Sequence, residues 1–487
     1  MTAVPRIRRR KWKLNPDPTQ VICRPNIPGG PPRIRRLIEQ VIELSDADAE
    51  ELLSQVLLDF SDRHRHLEST LEQHFGLVVS YLPHDVEIDD TRRALIGAYV
   101  TMEYSVASAA LFNPSIVLHP DQSGLDDEHL RFIMSLRAVG EGHISSIVFR
   151  SGTINSNGKV LFDPLSDYAE TPARQLHTNY DKHLFELKLL EMKVANEITA
   201  HLLDRLPEHF DFSALQMQIE QLFRQPVFDI EQQDETISTV NWLANSNYTL
   251  EFNAKHPINE RVIFPTSEND SGGVEDARFV QFYDDNGDVI YYATYTAYNG
   301  LRILPQLIET RDFINFAVIT LNGRAVQNKG MALFPRKING KYVMLSRQDG
   351  VNNHIMFSDH LHFWQYSCIM QQPTEPWEFV QIGNCGSPLE TSEGWLVLTH
   401  GVGPMREYAI GAMLLDLEDP SHVIAKLKQP LLSPHEQERE GYVPNVVYSC
   451  GALIHNNELI IPYAMSDISS GLASVNVEEL ISCMTPW

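Results

Sequence analysis

The stretch SGGVEDARFV sets Glu275, Asp276 and Arg278 behind two glycines and ahead of an apolar pair. Two carboxylates beside a guanidinium can tune a proton donor, because a neighbouring cation favours the ionised form and a neighbouring anion opposes it. On an exposed turn the same pattern is only a solvated ion-pair loop of little energetic weight. Chemically useful groups recur on other apolar segments, SLRAVGEGHISS, NKGMALFPRKINGKYVMLSR, SPLETSEGWLVLTHG and EREGYVPNVVYSCG, in which Arg347 and His400 each end an apolar strand. One arginine or histidine at a strand end is usually structural; the recurrence argues that these groups converge. Carboxylates mixed with cations suit cleavage of a glycosidic bond, in which an acid protonates the leaving oxygen and a second group delivers or activates the nucleophile. The chain has no Walker loop, dinucleotide fingerprint, H-E-x-x-H or nucleophile elbow, and no cofactor or metal is expected.

Elements able to position such groups follow from the turn signals. Asn157-Gly158, Asn286-Gly287, Asn339-Gly340, Glu393-Gly394 and Asn456-Asn457 are each followed by an apolar, β-rich run such as DVIYYATYTAY or ELIIPYAM. The intervals 286–339, 339–393 and 393–457 have the length of a β-propeller blade, and a helical insertion occupies the long gap after 158. The expected fold is therefore mainly β: a five-bladed β-propeller with an N-terminal helical region and a helical insertion, a sandwich being the alternative. The expected division is 1–104 for a basic, Pro-rich arm and N-terminal helices, 105–165 for the first part of the propeller, 166–226 for the insertion, and 227–487 for the remaining blades with a catalytic funnel. Ser45 with Asp48 predicts a helix start, followed by Leu52, Leu53, Val56 and Leu57 at helical spacing. Thr171-Pro172 predicts the start of the insertion's helices, Leu187, Leu190 and Val194 their buried stripe, and Pro226 their end.

Bulk properties narrow the partners. The 487 residues are 43% hydrophobic and 21% charged, enough for a large core, and the net charge of −25 disfavours nucleic acid and anionic membranes. The exception is the basic start, RIRRRKWKLNP and PPRIRRL, which is expected to dock on the protein's own body or a sister subunit. No apolar signal core follows it and no run approaches a membrane span, so a cytoplasmic location is expected. Five dispersed cysteines, Cys23, Cys368, Cys385, Cys450 and Cys483, read as reduced thiols, with Cys385 structural.

Several of these segments resemble glycoside hydrolase family 130, the mannoside phosphorylases and mannosidases built on a five-bladed propeller. GGVEDARFV is similar to the family's G-x-E-D-P-R segment with Ala277 in place of proline, and NKGMALFPRKINGKYVMLSR resembles its long central stretch. SPLETSEGWLVLTHGVG, EREGYVPNVVYSCG and, more weakly, NPSIVLHP and FRSG add to the likeness, which covers about 105–165 and 230–480. The resemblance implies that Asp276 is the proton donor, acting through the 3-hydroxyl of the mannosyl unit. It implies that Arg137, His143, Glu275 and Arg278 lie near the sugar, although an arginine is more usual at the place of His143. The implied partner is a β-manno-oligosaccharide, with a homo-oligomer possible through the helical regions.

The attacking group is left open between phosphate and water. Lys329, Arg347 and His400 resemble positions that hold phosphate, and three cations suit a dianion. Glu390 stands where phosphorylases of the family carry lysine, and a carboxylate there would instead suit a base for water, with Glu438 and Glu440 as secondary candidates. Phosphorolysis is the narrowly favoured expectation, an inverting β-mannosidase the second, and a glycan-binding propeller without activity the third.

Overall fold

Each turn dipeptide singled out above joins two antiparallel strands. Asn286-Gly287 connects Gly273–Tyr283 to Val289–Tyr298, Glu393-Gly394 connects Leu389–Thr391 to Gly394–Val402, and Asn456-Asn457 connects Leu453–His455 to Glu458–Met465. The computed structural model describes residues 5–83, 86–126, 128–176, 179–224, 228–265, 270–298 and 303–487, and these are mainly β.

Four larger sheets carry the body. An 11-stranded sheet contains Ala110–Leu118, Leu130–Val139 and Ser145–Ile154, followed by Gly273–Tyr283, Val289–Tyr298, Ile303–Thr310 and Asn315–Thr320. The two runs join through one parallel register pair, Gly273 with Ser145. That junction needs glycine: at φ 142° Gly273 lies so close to its neighbour that a Cβ would stand 2.9 Å from Cβ of Ser145. A four-stranded sheet spans Ala332–Leu333 to Ser367–Gln371, and a six-stranded sheet includes Gln381–Asn384, Gly394–Val402 and Tyr408–Leu415. The fifth strand of the last, five-stranded sheet is Arg8–Leu14, which pairs antiparallel with Ser469–Asn476. The basic arm therefore docks on the protein's own body, as a strand.

Apolar side chains form the cores. Phe149, Phe279, Phe313 and Phe316 meet in one within the 11-stranded sheet, and Leu396 and Leu398 meet Leu459 and Ile461 in another, between the six- and five-stranded sheets.

The helical parts differ from expectation in three ways. Residues 8–25 of the N-terminal region form two strands, Arg8–Leu14 and Asp17–Pro25, and helices begin only at Pro31. Ser45 does cap the helix Asp46–Phe60, accepting a hydrogen bond from the Asp48 amide at 3.2 Å, but Leu52 on its apolar stripe is 39% exposed and Ala49 is the buried position. In the insertion, Thr171-Pro172 leads into the strand Ala173–Leu176, and the first helix starts at Lys182 under an Asp181 cap. Its buried residues are Phe185, Lys188 and Leu189, whereas Leu190 is exposed. The helices also run past the expected boundary: Asp229 caps a 16-residue helix, Ile230–Asn245, which buries Ile237, Val240, Leu243 and Ala244. Its polar opening, IEQQDET, hides the stripe that follows. Pro226 itself lies outside the described residues.

No described helix is long and apolar enough to cross a membrane. All five cysteines are free thiols, and burial pushes the Cys385 thiol up to about 12.

Candidate active site

The strand Gly273–Tyr283 slips register between Glu275 and Arg278, and Asp276 at φ 56° occupies the bulge. A bulge re-aims one side chain out of the alternating pattern, and aspartate tolerates the left-handed region better than most residues. Across from it, Ala110–Leu118 bulges between Phe112 and Ser115, with Asn113 at φ 49°. The two bulges meet: Asn113 Nδ2 donates to Asp276 Oδ1 at 2.6 Å.

A set of cations surrounds this pair of bulges. Arg137 Nη1 reaches Asp276 Oδ1 at 3.4 Å, its Nη2 donates to Glu275 Oε1 at 2.6 Å, and its Nε donates to Ser145 Oγ at 2.9 Å. Lys329 Nζ donates to the other Glu275 oxygen, Oε2, at 2.6 Å. Arg278 is buried and pins the bulge from below: Nη1 donates to the Asp276 carbonyl at 2.9 Å, Nε to the Cys385 carbonyl at 3.0 Å and Nη2 to the Tyr448 hydroxyl at 2.9 Å. Burial alone would raise the Asp276 pKa, but Arg137, Arg278, Asn113 and Lys329 outweigh it and hold the carboxyl below its ordinary value. Asp276 is therefore held as a carboxylate.

Asp467, in the turn between Glu458–Met465 and Ser469–Asn476, carries the opposite shift. Burial and the charge of Asp276 push its carboxyl up to about 6, against the opposing pull of Arg137 and Arg406. The two carboxyls compete for one set of cations, and Asp467 accepts a proton first.

Arg347 and His400 form the second part of the site. Arg347 Nη1 donates to His400 Nε2 at 2.9 Å, and the His400 ring stands edge-on to Tyr448 with centroids 4.9 Å apart. Tyr448, bonded to Arg278, therefore links this part to the Asp276 bulge. Gly383 closes over both groups, since a Cβ there would lie 2.7 Å from His400 Cε1 and 3.2 Å from Arg347 Cδ. Burial, then Arg347 and Arg278, hold the His400 pKa well below its ordinary value, so the imidazole is neutral. This corrects the expectation of three cations: the positive charges are Lys329 and Arg347. Arg347 has no carboxylate partner among the described residues, its Nε is buried without a hydrogen bond, and so are both amide atoms of Asn384 next to Gly383.

Glu390 is not part of this group. Both its oxygens accept from Arg336, at 2.7 and 2.9 Å, on a partly exposed hairpin. In register it faces Trp395, five residues before His400 on the same strand, which at ~3.3 Å per residue puts it about 17 Å from that histidine. Glu390→Gln is expected to leave phosphate dependence unchanged and to alter stability by less than about 1 kcal/mol, as an exposed ion pair does. Parallel initial rates with and without phosphate, and a melting curve, check this. Glu438 is buried against Arg9 and Tyr463, and Glu440 is exposed. His143 sits at φ 59° in the turn after the Arg137 strand, with its ring 5.6 Å from that of Tyr442.

Sequence reasoning missed Asn113, Asp467, Asn384 and Tyr448. The signal for Asn113 was the Asn-Pro step in NPSIVLHP, and for Asp467 the Ser-Asp turn in MSDISSG.

A family profile described as beta-1,4-mannooligosaccharide phosphorylase matches residues 214–486, more than half of the chain. The chain belongs to glycoside hydrolase family 130. It is 35% identical over 232 residues to a 1,2-beta-oligomannan phosphorylase of Thermoanaerobacter sp., covering 46% of this chain and 75% of that one. It is 32% identical over 232 residues to a beta-1,2-mannobiose phosphorylase of Listeria innocua, covering 45% of this chain and 62% of that one. The solved structure of beta-1,2-mannobiose phosphorylase from Listeria innocua with beta-1,2-mannobiose aligns with a TM-score of 0.46 and 22% identity, over 78% of this chain and 92% of that one. The family-130 profile includes Glu275, Asp276, Arg278, Lys329, Arg347 and His400, whereas Asn113, Arg137 and His143 come from residues before the match.

Proposed function

We propose that this family-130 enzyme cleaves β-mannosidic linkages of manno-oligosaccharides by phosphorolysis, in one inverting displacement that releases mannose 1-phosphate. The observation that carries the reading is Arg347: a guanidinium with no carboxylate partner among the described residues, beside a neutral His400 and the unsatisfied amide of Asn384. A phosphate dianion supplies the charge-assisted acceptors such a group lacks. The relatives just named are phosphorylases, which supports the same choice. Hydrolysis loses its candidate base, because Glu390 is taken up by Arg336.

The anion also accounts for how Asp276 becomes an acid. Its cationic neighbours hold it ionised, and a dianion bound beside Lys329 and Arg347 offsets that field and raises its affinity for a proton. Asp276 then protonates the leaving oxygen while phosphate attacks the anomeric carbon, the bond to the leaving sugar breaks, and the configuration inverts. Arg137, bonded to both carboxylates, and Asn113 fix the acid.

A five-bladed propeller suits this reading of the fold. Five antiparallel groups follow one another along the chain, starting at Ala110, Gly273, Ala332, Gln381 and Val447, and Arg8–Leu14 completes the last. Asp276, Arg347, His400 and Asp467 stand near strand ends or turns of four of these groups.

The test is incubation with β-1,2- and β-1,4-linked manno-oligosaccharides, with and without inorganic phosphate, and identification of the sugar released. Mannose 1-phosphate formed only with phosphate is the expected result; free mannose at the same rate in both arms overturns phosphorolysis.

A further inference from the structure

We propose that Arg9, far from the reacting groups in sequence, is a positioning residue: through Glu438 it fixes the Ser466–Asp467 turn beside Asp276. Arg9 grips Glu438 with both arms, Nε to Oε1 at 3.0 Å and Nη2 to Oε2 at 3.1 Å, and its Nη2 also donates to the Ser433 carbonyl at 2.6 Å. Glu438 is buried and further accepts from the Tyr463 hydroxyl at 2.6 Å and the His435 amide at 2.8 Å. Its main-chain carbonyl accepts from Ser466 Oγ at 2.6 Å.

The turn held this way does not hold itself. Ser466 at φ 50° and Asp467 at φ 52° are consecutive left-handed residues, a conformation unfavourable to L side chains, so the surroundings must impose it. The segment after Glu438 does so: Val443 N donates to the Ser466 carbonyl at 3.1 Å, Ser466 N donates to the Val446 carbonyl at 2.8 Å, and Gly441 is pressed so close that a Cβ would lie 2.3 Å from the Ser466 oxygen. Asp467 then faces Asp276 and Glu275 from one strand, Arg137 from another and Arg406 from a third segment. Arg9 is the cation paired with Glu438 among the described residues. Without it a buried carboxylate loses its counter-ion and must take up water or move, carrying the turn with it.

Arg10, the next residue on the same strand, provides the control. It donates to Ser474 Oγ at 3.0 Å and Glu458 Oε1 at 3.2 Å. Glu458 lies at the opposite end of its strand from Met465, about 23 Å away at ~3.3 Å per residue.

The inference rests on the proposed function for its activity readout, so the test has a second, independent one. Full-length Arg9→Ala, Arg9→Lys and Arg10→Ala are compared by kcat, KM and the pH profile of mannoside phosphorolysis, and by amide hydrogen exchange at residues 464–468. Arg9→Ala is expected to lower kcat about tenfold, as a small displacement of a catalytic group does, to shift the acid limb of the pH profile, and to speed exchange at 464–468. Arg9→Lys, which keeps the charge but not the two-pronged grip, falls between the two. Arg10→Ala loses comparable thermal stability yet keeps kcat, pH profile and exchange.

Wild-type kcat and pH profile in Arg9→Ala, or the same losses in Arg10→Ala, overturn the inference. If Arg9→Ala does not fold, Arg9→Lys against Arg10→Ala decides by the same criteria. If the wild-type protein turns over no β-mannoside, the functional reading has failed, and exchange alone decides: faster in Arg9→Ala only supports the positioning role, unchanged overturns it.

Discussion

Asp276→Asn is expected to lower kcat on manno-oligosaccharides by about a thousandfold, within the range of a lost general acid, while the sugar still binds. The substitution is mild for the fold: asparagine is among the few residues at ease at φ 56°, and its carbonyl can keep the hydrogen bond from Asn113. What it removes is the transferable proton. An aryl mannoside with a good leaving group needs no protonation, so its turnover is expected to fall far less, and the ratio of the two losses is the measurement. Near wild-type turnover of the oligosaccharide would sink the assignment of Asp276 as proton donor.

The same variant has a predictable pH signature in stability. The folded pKa of Asp276 is depressed from 3.8, so its charge contributes stability that is present above that value and is lost as pH falls through the folded pKa. Asp276→Asn should melt below wild type at neutral pH, with the difference closing in acid. A constant difference across the range would show that the cations do not stabilise the carboxylate.

Arg347→Ala is expected to raise the KM for phosphate about a hundredfold, equivalent to about 2.7 kcal/mol, with the KM for the mannoside little changed. Loss of both substrates together would place Arg347 on the sugar rather than on phosphate. The substitution also removes one of the charges that depress His400, so that imidazole should titrate at higher pH than in wild type, read from its ring proton shifts. An unmoved His400 titration would mean that burial and Arg278 keep it neutral without Arg347.

The strands were legible because their turns are local chemistry: Asn-Gly can take the φ values a tight hairpin requires whatever surrounds it. The grouping of Glu275, Asp276 and Arg278 was legible for a similar reason, since a bulge on one strand brings all three to one place. Glu390 misled because standing where phosphorylases of the family carry lysine says nothing about which end of a strand its hairpin occupies, and the pairing of Glu390 with Trp395 puts it at the end away from His400. The charge of His400 was illegible because it is set by burial and by Arg347 and Arg278, which come from other strands. Asp467 shows in the sequence only as part of a Ser-Asp turn, because a lone aspartate there becomes unusual only once Asp276 is packed near it. The strand Arg8–Leu14 reads as a basic arm because its partner lies at the other end of the chain.

That last pairing bears on biosynthesis. Residues 8–14 leave the ribosome well before their partner strand, 469–476, which is made on the order of half a minute to a minute and a half later at ordinary elongation rates. For that time the strand's backbone donors and acceptors are open to any neighbouring chain, the circumstance in which edges aggregate. Arg8, Arg9, Arg10, Lys11 and Lys13 crowd like charge onto this waiting edge, so two nascent copies repel each other. The basic run protects the unfinished chain before Arg9 ever meets Glu438.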